Sequence, residues 1–372
     1  MLRNLQNSSK CFHLRAKRHR VAEVVPVLLQ PHRLEALEIQ AAAQTPLKFS
    51  GKQIMIFGLD RALIVFAVGL VVGGSSLTSA ADKITFGTDW RAQAEHGGFY
   101  QALALGFYED AGLDVTIRQG GPQINHSQLL AAGRLDFGMS PNSFIPLNFA
   151  NQEIPVVAVA AMFQKDPAVL IAHASRGHQT LSDLKTEKIM ISPDTRIGFW
   201  RFLKVRYGFT DKQIAPYTFN VAPFLADPTS VQQGYLTSEP FVISETGIEP
   251  EVFLLADSGY ASYAAVIQAS QKMIDSDPDL VQRFIDASIR GWYSFLYRDP
   301  SPAYTLIKRD NPEMTDELLI YGHEMLRRYG LVDSGDAALN GIGMMTQSRW
   351  KAFFDVMAED NVYSADLDYT KA

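Results

Sequence analysis

Apolar residues between positions 83 and 270 fall in short runs that alternate between strand-like and helix-like spacing. Strands are predicted where apolar residues alternate or run on without a break, at 83–89, 113–117, 135–139, 155–161, 169–173, 188–192, 241–244, 253–256 and 263–269. Helices are predicted where apolar residues recur every three or four positions, at 95–108, 127–132, after 140–142, at 199–207 and around 231–235. Beyond position 277 the spacing is helical, at 278–296, 302–308, 315–329 and 346–358.

The order of these elements predicts two α/β units. Strands and helices alternate in the first unit, which favours a parallel sheet with crossover helices. The continuous apolar run at 155–161 is typical of a strand buried on both faces. The strands at 169–173 and 263–269 would connect this unit to a second one, so we expect a two-lobed α/β clamshell with a ligand cleft between its lobes. The expected bounds are 83–170 with 268–372 for the first lobe and 171–267 for the second.

The first 81 residues differ in composition from the rest of the chain. Residues 1–54 contain nine Lys or Arg against three Glu, and an apolar run of 13 residues at 62–74 is followed by small residues up to Ala80 and Ala81. That run has the length of a signal-peptide core and is too short to span a membrane. We predict a signal peptide at 55–81, with 1–54 as a mis-assigned start or a disordered extension, and export to the bacterial periplasm. An uncleaved anchor, an organelle presequence or a buried core helix are the alternatives.

Removing this leader changes the charge of what remains. The whole chain has 34 Lys plus Arg and 40 Asp plus Glu, a net charge of −6, and the remainder carries −12 because the leader carries +6. Such an acidic chain is not expected to bind nucleic acid, and a single cysteine, Cys11, excludes a disulfide framework. The sequence contains no GxSxG, Walker A or HExxH motif, and its histidines lack zinc-site spacing. We therefore expect no catalytic residues, metal or cofactor, and we also expect a monomer.

Aromatic, acidic and glycine residues gather where the predicted strands end. The candidate ligand-binding residues are Trp90, Glu239, Tyr235, Ser140, Asn142, Gly120, Gly121, His96 and Tyr100. Tyr and Trp offer flat apolar faces and carboxylates accept hydrogen bonds from ring amino groups, so we expect a flat, amino-bearing heteroaromatic ligand. In the plainer interpretation Trp90 covers the core, Glu239 faces solvent in a turn and His96 lies on the surface at a helix start.

Several of these residues stand in motifs that resemble those of ABC-transporter substrate-binding proteins. The motifs are Asp89-Trp90, His96–Tyr100, Gly112–Val115, Gly120–Pro122, Gly234–Phe241 and Asp310–Met314. The resemblance covers nearly all of 83–372 and is closest to the binders of thiamine pyrimidine precursors, such as formylaminopyrimidine, within the nitrate, sulfonate and taurine group. It implies a type II periplasmic-binding-protein clamshell that delivers its ligand to a membrane permease and an ATPase. It also implies that Trp90 and Tyr235 hold the pyrimidine and that Glu239 accepts from its amino group. Polar substituents would contact Ser140, Asn142, Gly120 and Gly121.

Two other functions stay open at this point. The same fold includes the fungal thiamine-pyrimidine synthase, which consumes pyridoxal phosphate and its own histidine. The lysine and histidine of that enzyme correspond to Ser140 and Phe144 here, and its cysteine cluster has no counterpart. A sulfonate, nitrate or riboflavin binder of the same family is the other alternative. An anionic ligand would need basic groups or free helix N-termini, and Arg91, Arg196 and Arg201 fall near the expected cleft.

Overall fold

Two five-stranded sheets of the same plan are present in the part of the chain that the structure describes, residues 80–122 and 124–372. In this computed structural model the strands are β1 (Asp82–Gly87), β2 (Leu113–Arg118), β3 (Phe137–Ser140), β4 (Val156–Phe163), β5 (Ala168–His173), β6 (Ile189–Ile191), β7 (Ile214–Pro216), β8 (Val231–Tyr235), β9 (Pro250–Leu254) and β10 (Ala264–Ser270). The predicted extension at 1–54 and signal peptide at 55–81 lie outside the described residues, apart from the last two positions of the latter.

Each sheet combines parallel with antiparallel pairs. The first sheet has the order β2-β1-β3-β10-β4, in which β1 pairs in parallel with β2 and β3, and β10 runs antiparallel between β3 and β4. The second sheet has the order β7-β6-β8-β5-β9 and repeats this pattern. β4 therefore runs in the same direction as β1, β2 and β3, as predicted, but it is hydrogen-bonded only to β10, the antiparallel strand that returns to the sheet later in the chain.

β4 is an edge strand, although its apolar sequence predicts burial on both faces. The C-terminal part of the chain covers its free edge: the Ala158 amide donates to the Ala372 carbonyl at 2.7 Å, and the Ala161 amide donates to the Gly343 carbonyl at 3.1 Å. Covered edges of this kind do not attract further strands. The continuous apolar pattern thus reflects this cover and not a central position in the sheet.

Two short segments join the sheets. We use lobe 1 for the first sheet with the elements packed on it, and lobe 2 for the second sheet. The first crossover, residues 164–167, leads from β4 to β5, and the second crossover, residues 255–263, leads from β9 back to β10. The chain therefore enters and leaves lobe 2 once each, as a clamshell requires.

The helices agree with the predicted bounds most closely after position 277. They are α1 (Gly97–Ala104), α2 (Phe107–Asp110), α3 (His126–Ala131), α4 (Phe144–Asn151), α5 (Pro193–Arg196), α6 (Phe199–Tyr207), α7 (Ala222–Ala226), α8 (Glu239–Ser244), α9 (Gln271–Ser276), α10 (Pro278–Tyr297), α11 (Ser301–Asp310), α12 (Asp316–Arg328), α13 (Ala337–Asn340) and α14 (Gln347–Glu359). None of the helices that the structure describes is both long and apolar enough to cross a membrane.

In two elements of lobe 2 the predicted type is wrong: a predicted helix is a strand, and a predicted strand is part of a helix. Residues 231–235, predicted as helical, form β8 between β6 and β5. Residues 241–244, predicted as a strand, lie in α8, which begins at Glu239. Pro240 stands in the first turn of that helix, where proline is favoured because its missing N–H is not needed.

The predicted helix at 95–108 is three pieces in the structure. A 3-10 turn at Ala94–His96 leads into α1, and Gly106, with a φ of 71°, separates α1 from α2. Glycine reaches positive φ without strain, so the chain turns there instead of continuing the helix.

Glycines determine how closely α10 packs on α1. A Cβ on Gly97 would overlap the ring of Phe295, and one on Gly98 would overlap the ring of Trp292. Both rings belong to α10 and are fully buried in lobe 1. Because α1 directly follows the turn at 94–96, this packing also fixes the position of that turn.

Gly98→Ala is expected to lower the free energy of unfolding by about 1–3 kcal/mol, because the added methyl group displaces Trp292 in a tightly packed core. Chemical denaturation followed by circular dichroism measures the change. Gln282→Ala on the exposed face of α10 is the control and should change the value by less than about 0.5 kcal/mol. Equal values for the two variants would contradict the close packing.

Candidate functional site

Trp90 follows the carboxyl end of β1 in a loop that is held from two sides. The Thr88 hydroxyl donates to the Trp90 carbonyl at 2.9 Å, and the Gly120 amide donates to the same oxygen at 3.0 Å. A side chain on Gly120 would collide with the backbone of Thr88 and Asp89. Gly120 therefore fixes the loop that carries Trp90.

The ring next to Trp90 is that of Phe219 of lobe 2, a residue that no motif or periodic pattern of the sequence marks. The two ring centroids lie 5.3 Å apart with 34° between their planes, and Tyr217 contacts Phe219 edge-on at 5.2 Å. Phe219 is 40% exposed and has a φ of 57°, in the left-handed region that residues other than glycine seldom adopt. Strained backbone of this kind clusters at functional sites.

Glu239 begins α8 as a partly buried acceptor whose two carboxylate oxygens both have donors. The Tyr217 hydroxyl donates to Oε1 at 3.2 Å, and the Tyr235 amide donates to Oε2 at 2.8 Å. Burial raises the pKa of this carboxyl group above its usual range, and these donors oppose the rise only in part. Glu239 is therefore connected through Tyr217 to the aromatic pair, and the interpretation as a solvent-facing turn residue is wrong.

Tyr235 lies half-buried at the end of β8. Burial raises the pKa of its hydroxyl far above the usual value, and the negative charges of Asp166, Asp89 and Glu95 add to the rise. These carboxylates belong to lobe 1 and to the first crossover. The Tyr235 hydroxyl is thus influenced by these carboxylates, whereas the ring that contacts Trp90 is that of Phe219.

Glu95 and Thr237 form a hydrogen bond between the lobes. The Thr237 hydroxyl donates to Oε1 of Glu95, while Oε2 is buried and has no partner among the described residues. Burial raises the pKa of the Glu95 carboxyl, and the Thr237 bond and the nearby His96 lower it less. A buried acceptor without a donor is costly, so a ligand donor or a proton at this oxygen would lower that cost.

His96 and Tyr100 are buried in lobe 1. His96 Nε2 lies 3.1 Å from Asp89 Oδ1, and its Nδ1 has no hydrogen-bond partner in the described part of the chain. The interpretation of His96 as a surface residue is therefore wrong. Tyr100 is fully buried and its hydroxyl donates to Asp310 at 3.0 Å. Its ring belongs to the core of lobe 1, so the structure does not bring it to the cleft.

Ser140 and Asn142 lie between β3 and α4. Ser140 is fully buried, and its hydroxyl lies 3.3 Å from the Asn142 carbonyl. The Asn142 side-chain oxygen accepts from the Phe144 amide at 3.1 Å, and its amide nitrogen lies beside Gly198 of lobe 2. Asn142 therefore reaches the junction between the lobes, whereas Ser140 supports it from behind.

The arginines expected near the cleft line two separate cavities. Arg91 pairs with Glu313 at 2.8 Å. A cavity of about 450 Å³ is lined by Arg91, Gly120, Gly121, Pro122 and Ile124. A second cavity, of about 380 Å³, is lined by Arg196, Trp200, Arg201, Lys204, Asp211 and Ile214.

Four carboxylates meet where the lobes join. Asp89 and Glu95 come from lobe 1, Glu239 from lobe 2 and Asp166 from the first crossover. The charge of Asp89 raises the pKa of Glu95 and of Asp166, and that of Glu95 raises the pKa of Glu239. Asp166 accepts from the Ala168 amide at 2.9 Å, and burial raises its pKa to about 7. Within the described residues, none of the four pairs with Lys or Arg, and no three His, Cys, Asp or Glu are placed to hold a metal ion. The junction offers hydrogen-bond acceptors and negative charge.

Comparisons with known proteins agree with this architecture. A family model described as NMT1/THI5 like matches residues 93–303. The chain is 23% identical over 309 residues to the riboflavin-binding protein RibY of Chloroflexus aurantiacus, covering 78% of this chain and 84% of that protein. It is 24% identical over 264 residues to the 4-amino-5-hydroxymethyl-2-methylpyrimidine phosphate synthase of Candida albicans, covering 64% and 74%. The periplasmic aliphatic sulphonate binding protein SsuA of Escherichia coli matches with a TM-score of 0.58 at 12% identity, over 78% of this chain and 96% of that one.

These similarities confirm two expectations. The likeness to SsuA confirms the two-lobed α/β clamshell of periplasmic binding proteins. The family model spans more than half of the chain and agrees with the resemblance read from the motifs. The chain belongs to the NMT1/THI5-like family.

Proposed function

We propose that this chain is the solute-binding component of an ABC importer and that it binds a flat, amino-bearing heteroaromatic ring between its lobes. The observation that carries the proposal is the pair of Trp90 and Phe219, which meet across the lobes close to carboxylates without cationic partners. Aromatic faces provide a stacking surface, and carboxylates accept from amino groups. Within this class we propose a thiamine pyrimidine precursor, such as formylaminopyrimidine, and a role in thiamine biosynthesis or salvage.

The two rings now contact each other, so a planar ligand would enter between them only after the lobes separate slightly. A ring stacked on both sides needs two contacts of about 3.5 Å each, so separating the present 5.3 Å by roughly 2 Å would admit it. Glu239, which Tyr217 connects to this pair, would then meet the edge of the ring. We keep Tyr235 as a ligand contact, with its hydroxyl at the ring edge.

The charge of the junction argues against an anionic ligand. SsuA is named for binding aliphatic sulphonates, but the ionised carboxylates at the junction of this chain would repel a sulfonate. Arg91 is already paired with Glu313. A sulfonate or nitrate is therefore a poorer candidate than an amino-bearing ring.

Riboflavin is the second candidate ligand, because a cavity lies beside the loop that carries Trp90. The cavity of about 450 Å³ that Gly120 and Gly121 line lies beside the loop of Trp90, and the relative RibY is named as riboflavin-binding. A three-ring ligand could stack on Trp90 and place a hydroxylated chain in that cavity.

A synthase activity has less support from the residues. Ser140 and Phe144 stand where the resemblance places the lysine and histidine of the synthase, and both are buried. Neither offers an amine for the aldehyde of pyridoxal phosphate. We therefore propose a binding protein and not an enzyme.

We propose that the protein is a monomer that reaches the periplasm through the signal peptide at 55–81, with cleavage near Ala80 or Ala81. It would pass its ligand to a permease and an ATPase, and its lobes would move about the crossovers at 164–167 and 255–263. The shared fold with SsuA supports this role.

Trp90→Ala and Phe219→Ala should each weaken binding of an amino-bearing pyrimidine about tenfold or more, because each removes one stacking face. Isothermal titration calorimetry with formylaminopyrimidine, riboflavin, taurine and nitrate measures the loss and tests the ligand class. Tyr297→Ala, an exposed aromatic at the end of α10, is the control. Wild-type affinity in Trp90→Ala would refute the stack, and a loss in Tyr235→Ala but not in Phe219→Ala would make Tyr235 the stacking partner.

Glu239→Gln should weaken the amino-bearing ligand about tenfold or more, because a charged acceptor is replaced by a neutral one. Binding of taurine or nitrate should stay the same or improve. Glu245→Gln, an exposed carboxylate just after α8, changes the net charge equally and serves as the control in the same titration. Equal losses of affinity in the two variants would show that the effect comes from the net charge and not from a contact of Glu239.

The free energy of unfolding should fall as the pH rises from about 4 to about 7. Burial raises the pKa of Asp166 to about 7 and also raises those of Glu95 and Glu239. The folded protein therefore keeps protons that the unfolded chain releases, and stability decreases across this window and then levels off. Differential scanning fluorimetry between about pH 5 and 8 measures the slope of Tm. Asp166→Asn keeps an acceptor for the Ala168 amide and should flatten that slope; an unchanged slope would contradict the assignment.

A further inference from the structure

Arg349, in the first turn of α14, contacts both crossovers at once. Its Nε donates to the Ala261 carbonyl at 3.2 Å, and its Nη1 donates to the side-chain oxygen of Gln164 at 3.3 Å. Its Nη2 donates to the Gln164 carbonyl and, at 3.4 Å, to the Ser262 carbonyl. Gln164 belongs to the first crossover, and Ala261 and Ser262 belong to the second. One side chain of lobe 1 thus holds the chain where it enters lobe 2 and where it leaves.

Other groups hold the guanidinium of Arg349 in this place. It lies 4.1 Å above the ring of Tyr263, and Asp336 lies 4.0 Å from its Nη1. Asp336 also accepts from the Tyr263 hydroxyl at 2.5 Å and from the Thr346 hydroxyl at 3.1 Å. Thr346 caps the start of α14. Asp336 therefore ties the end of the second crossover to the helix that carries Arg349.

An arginine suits this arrangement for chemical reasons. Its guanidinium is planar, remains charged and presents five N–H donors in a fixed geometry. Bonds from a charged donor to carbonyl oxygens are stronger than neutral ones, and the side chain is only 19% exposed, so water competes little. A lysine at this position has one ammonium group and lacks the fork that reaches two backbone segments.

The lobes are in contact in the structure that contains these bonds. The Thr237 hydroxyl of lobe 2 donates to Glu95 of lobe 1, and the rings of Phe241 and Tyr321 lie 5.2 Å apart. The chain enters and leaves lobe 2 through the two crossovers. If the lobes rotated apart, the carbonyl groups of both crossovers would shift relative to α14, so the bonds of Arg349 favour the closed arrangement.

We propose that Arg349 is a positioning residue that stabilises the closed lobes by holding both crossovers against α14, and that it thereby sets how long a captured ligand is retained. The retention of ligand rests on the proposed function, whereas the effect on closure does not. The first crossover also carries Asp166, two residues from Gln164, so Arg349 and the acidic junction act on the same segment.

The distance between the lobes in the purified protein without added ligand tests this proposal. In a Cys11→Ser background, spin labels at Gln282→Cys of lobe 1 and Glu245→Cys of lobe 2 give the distance distribution by pulsed electron spin resonance. Arg349→Gln should shift the distribution to longer distances, and Arg349→Lys should shift it partly. Lys351→Gln, whose exposed side chain pairs with Asp355 on the same helix, is the matched control and should leave it unchanged.

A ligand found by calorimetry adds a kinetic readout. In Arg349→Gln it should dissociate about tenfold faster, while its association rate constant stays within about threefold of wild type, since interface changes act mainly on dissociation. A lower Tm in Arg349→Gln with unchanged distances would indicate a purely structural role and overturn the proposal, as would equal distributions in all variants.

The test gives a result even if no ligand is found or if one variant does not fold. If none of the tried ligands binds, the proposed function fails, and the ligand-free distances still decide the role of Arg349. If circular dichroism shows that Arg349→Gln does not fold, the distances are measured in Arg349→Lys and Asp336→Asn instead. Asp336→Asn is chosen because it removes the charge beside the guanidinium. Both should shift the distribution in the same direction, and the absence of any shift in both would overturn the proposal.

Discussion

Carboxylates that lack cationic partners at the junction of the lobes are the constraint on which the rest of the structure depends. Removing Glu95, Asp166 and Glu239 from water and placing them near one another costs free energy through desolvation and mutual repulsion. Each has at least one protein donor; the donors are the Thr237 and Tyr217 hydroxyls and the amides of Ala168 and Tyr235. These bonds leave Oε2 of Glu95 without a partner. Closure is therefore most favourable when protons or the donor groups of a ligand complete the set.

The shared plan of the two sheets explains how residues from distant parts of the sequence reach this junction. In each sheet the parallel strands end at one edge, where ligands of open α/β sheets are bound. Trp90 follows β1 in lobe 1, while Phe219 follows β7 and Thr237 follows β8 in lobe 2. The antiparallel pairs β4–β10 and β5–β9 serve a different purpose, since these four strands carry the chain between the lobes. The site is thus built from strand ends, and the hinge from the connections between the remaining strands.

The sequence predicts the type of an element correctly where the element's own residues determine it. The prediction fails where a contact with a distant part of the chain determines it. The alternation around β1 and the cap-rich helices after position 277 are read correctly because their own residues determine them. β8 has two glutamines and a glycine in place of alternation, and it becomes a strand because it fills the space between β6 and β5. Trp90 and Glu239 can be predicted as ligand contacts because each follows a predicted element. Phe219 lies in a loop without periodicity, and its significance comes from the Trp90 ring of the other lobe. Tyr100 shows the opposite case: the motif that contains it suggests a ligand contact, whereas its ring lies in the core of lobe 1.

The hinge and the ligand junction meet in the first crossover, which provides a physical connection between binding and closure. Asp166 of that segment belongs to the acidic junction, and Gln164 is held by Arg349 from α14. The bonds of Arg349 favour the closed backbone whether or not a ligand is present, whereas the repulsion among the carboxylates opposes closure until donors arrive. A lysine built into the junction would remove that repulsion permanently and close the lobes without a ligand. In the proposed function, the lack of a Lys or Arg partner for these carboxylates in the described part of the chain would therefore make closure depend on the ligand.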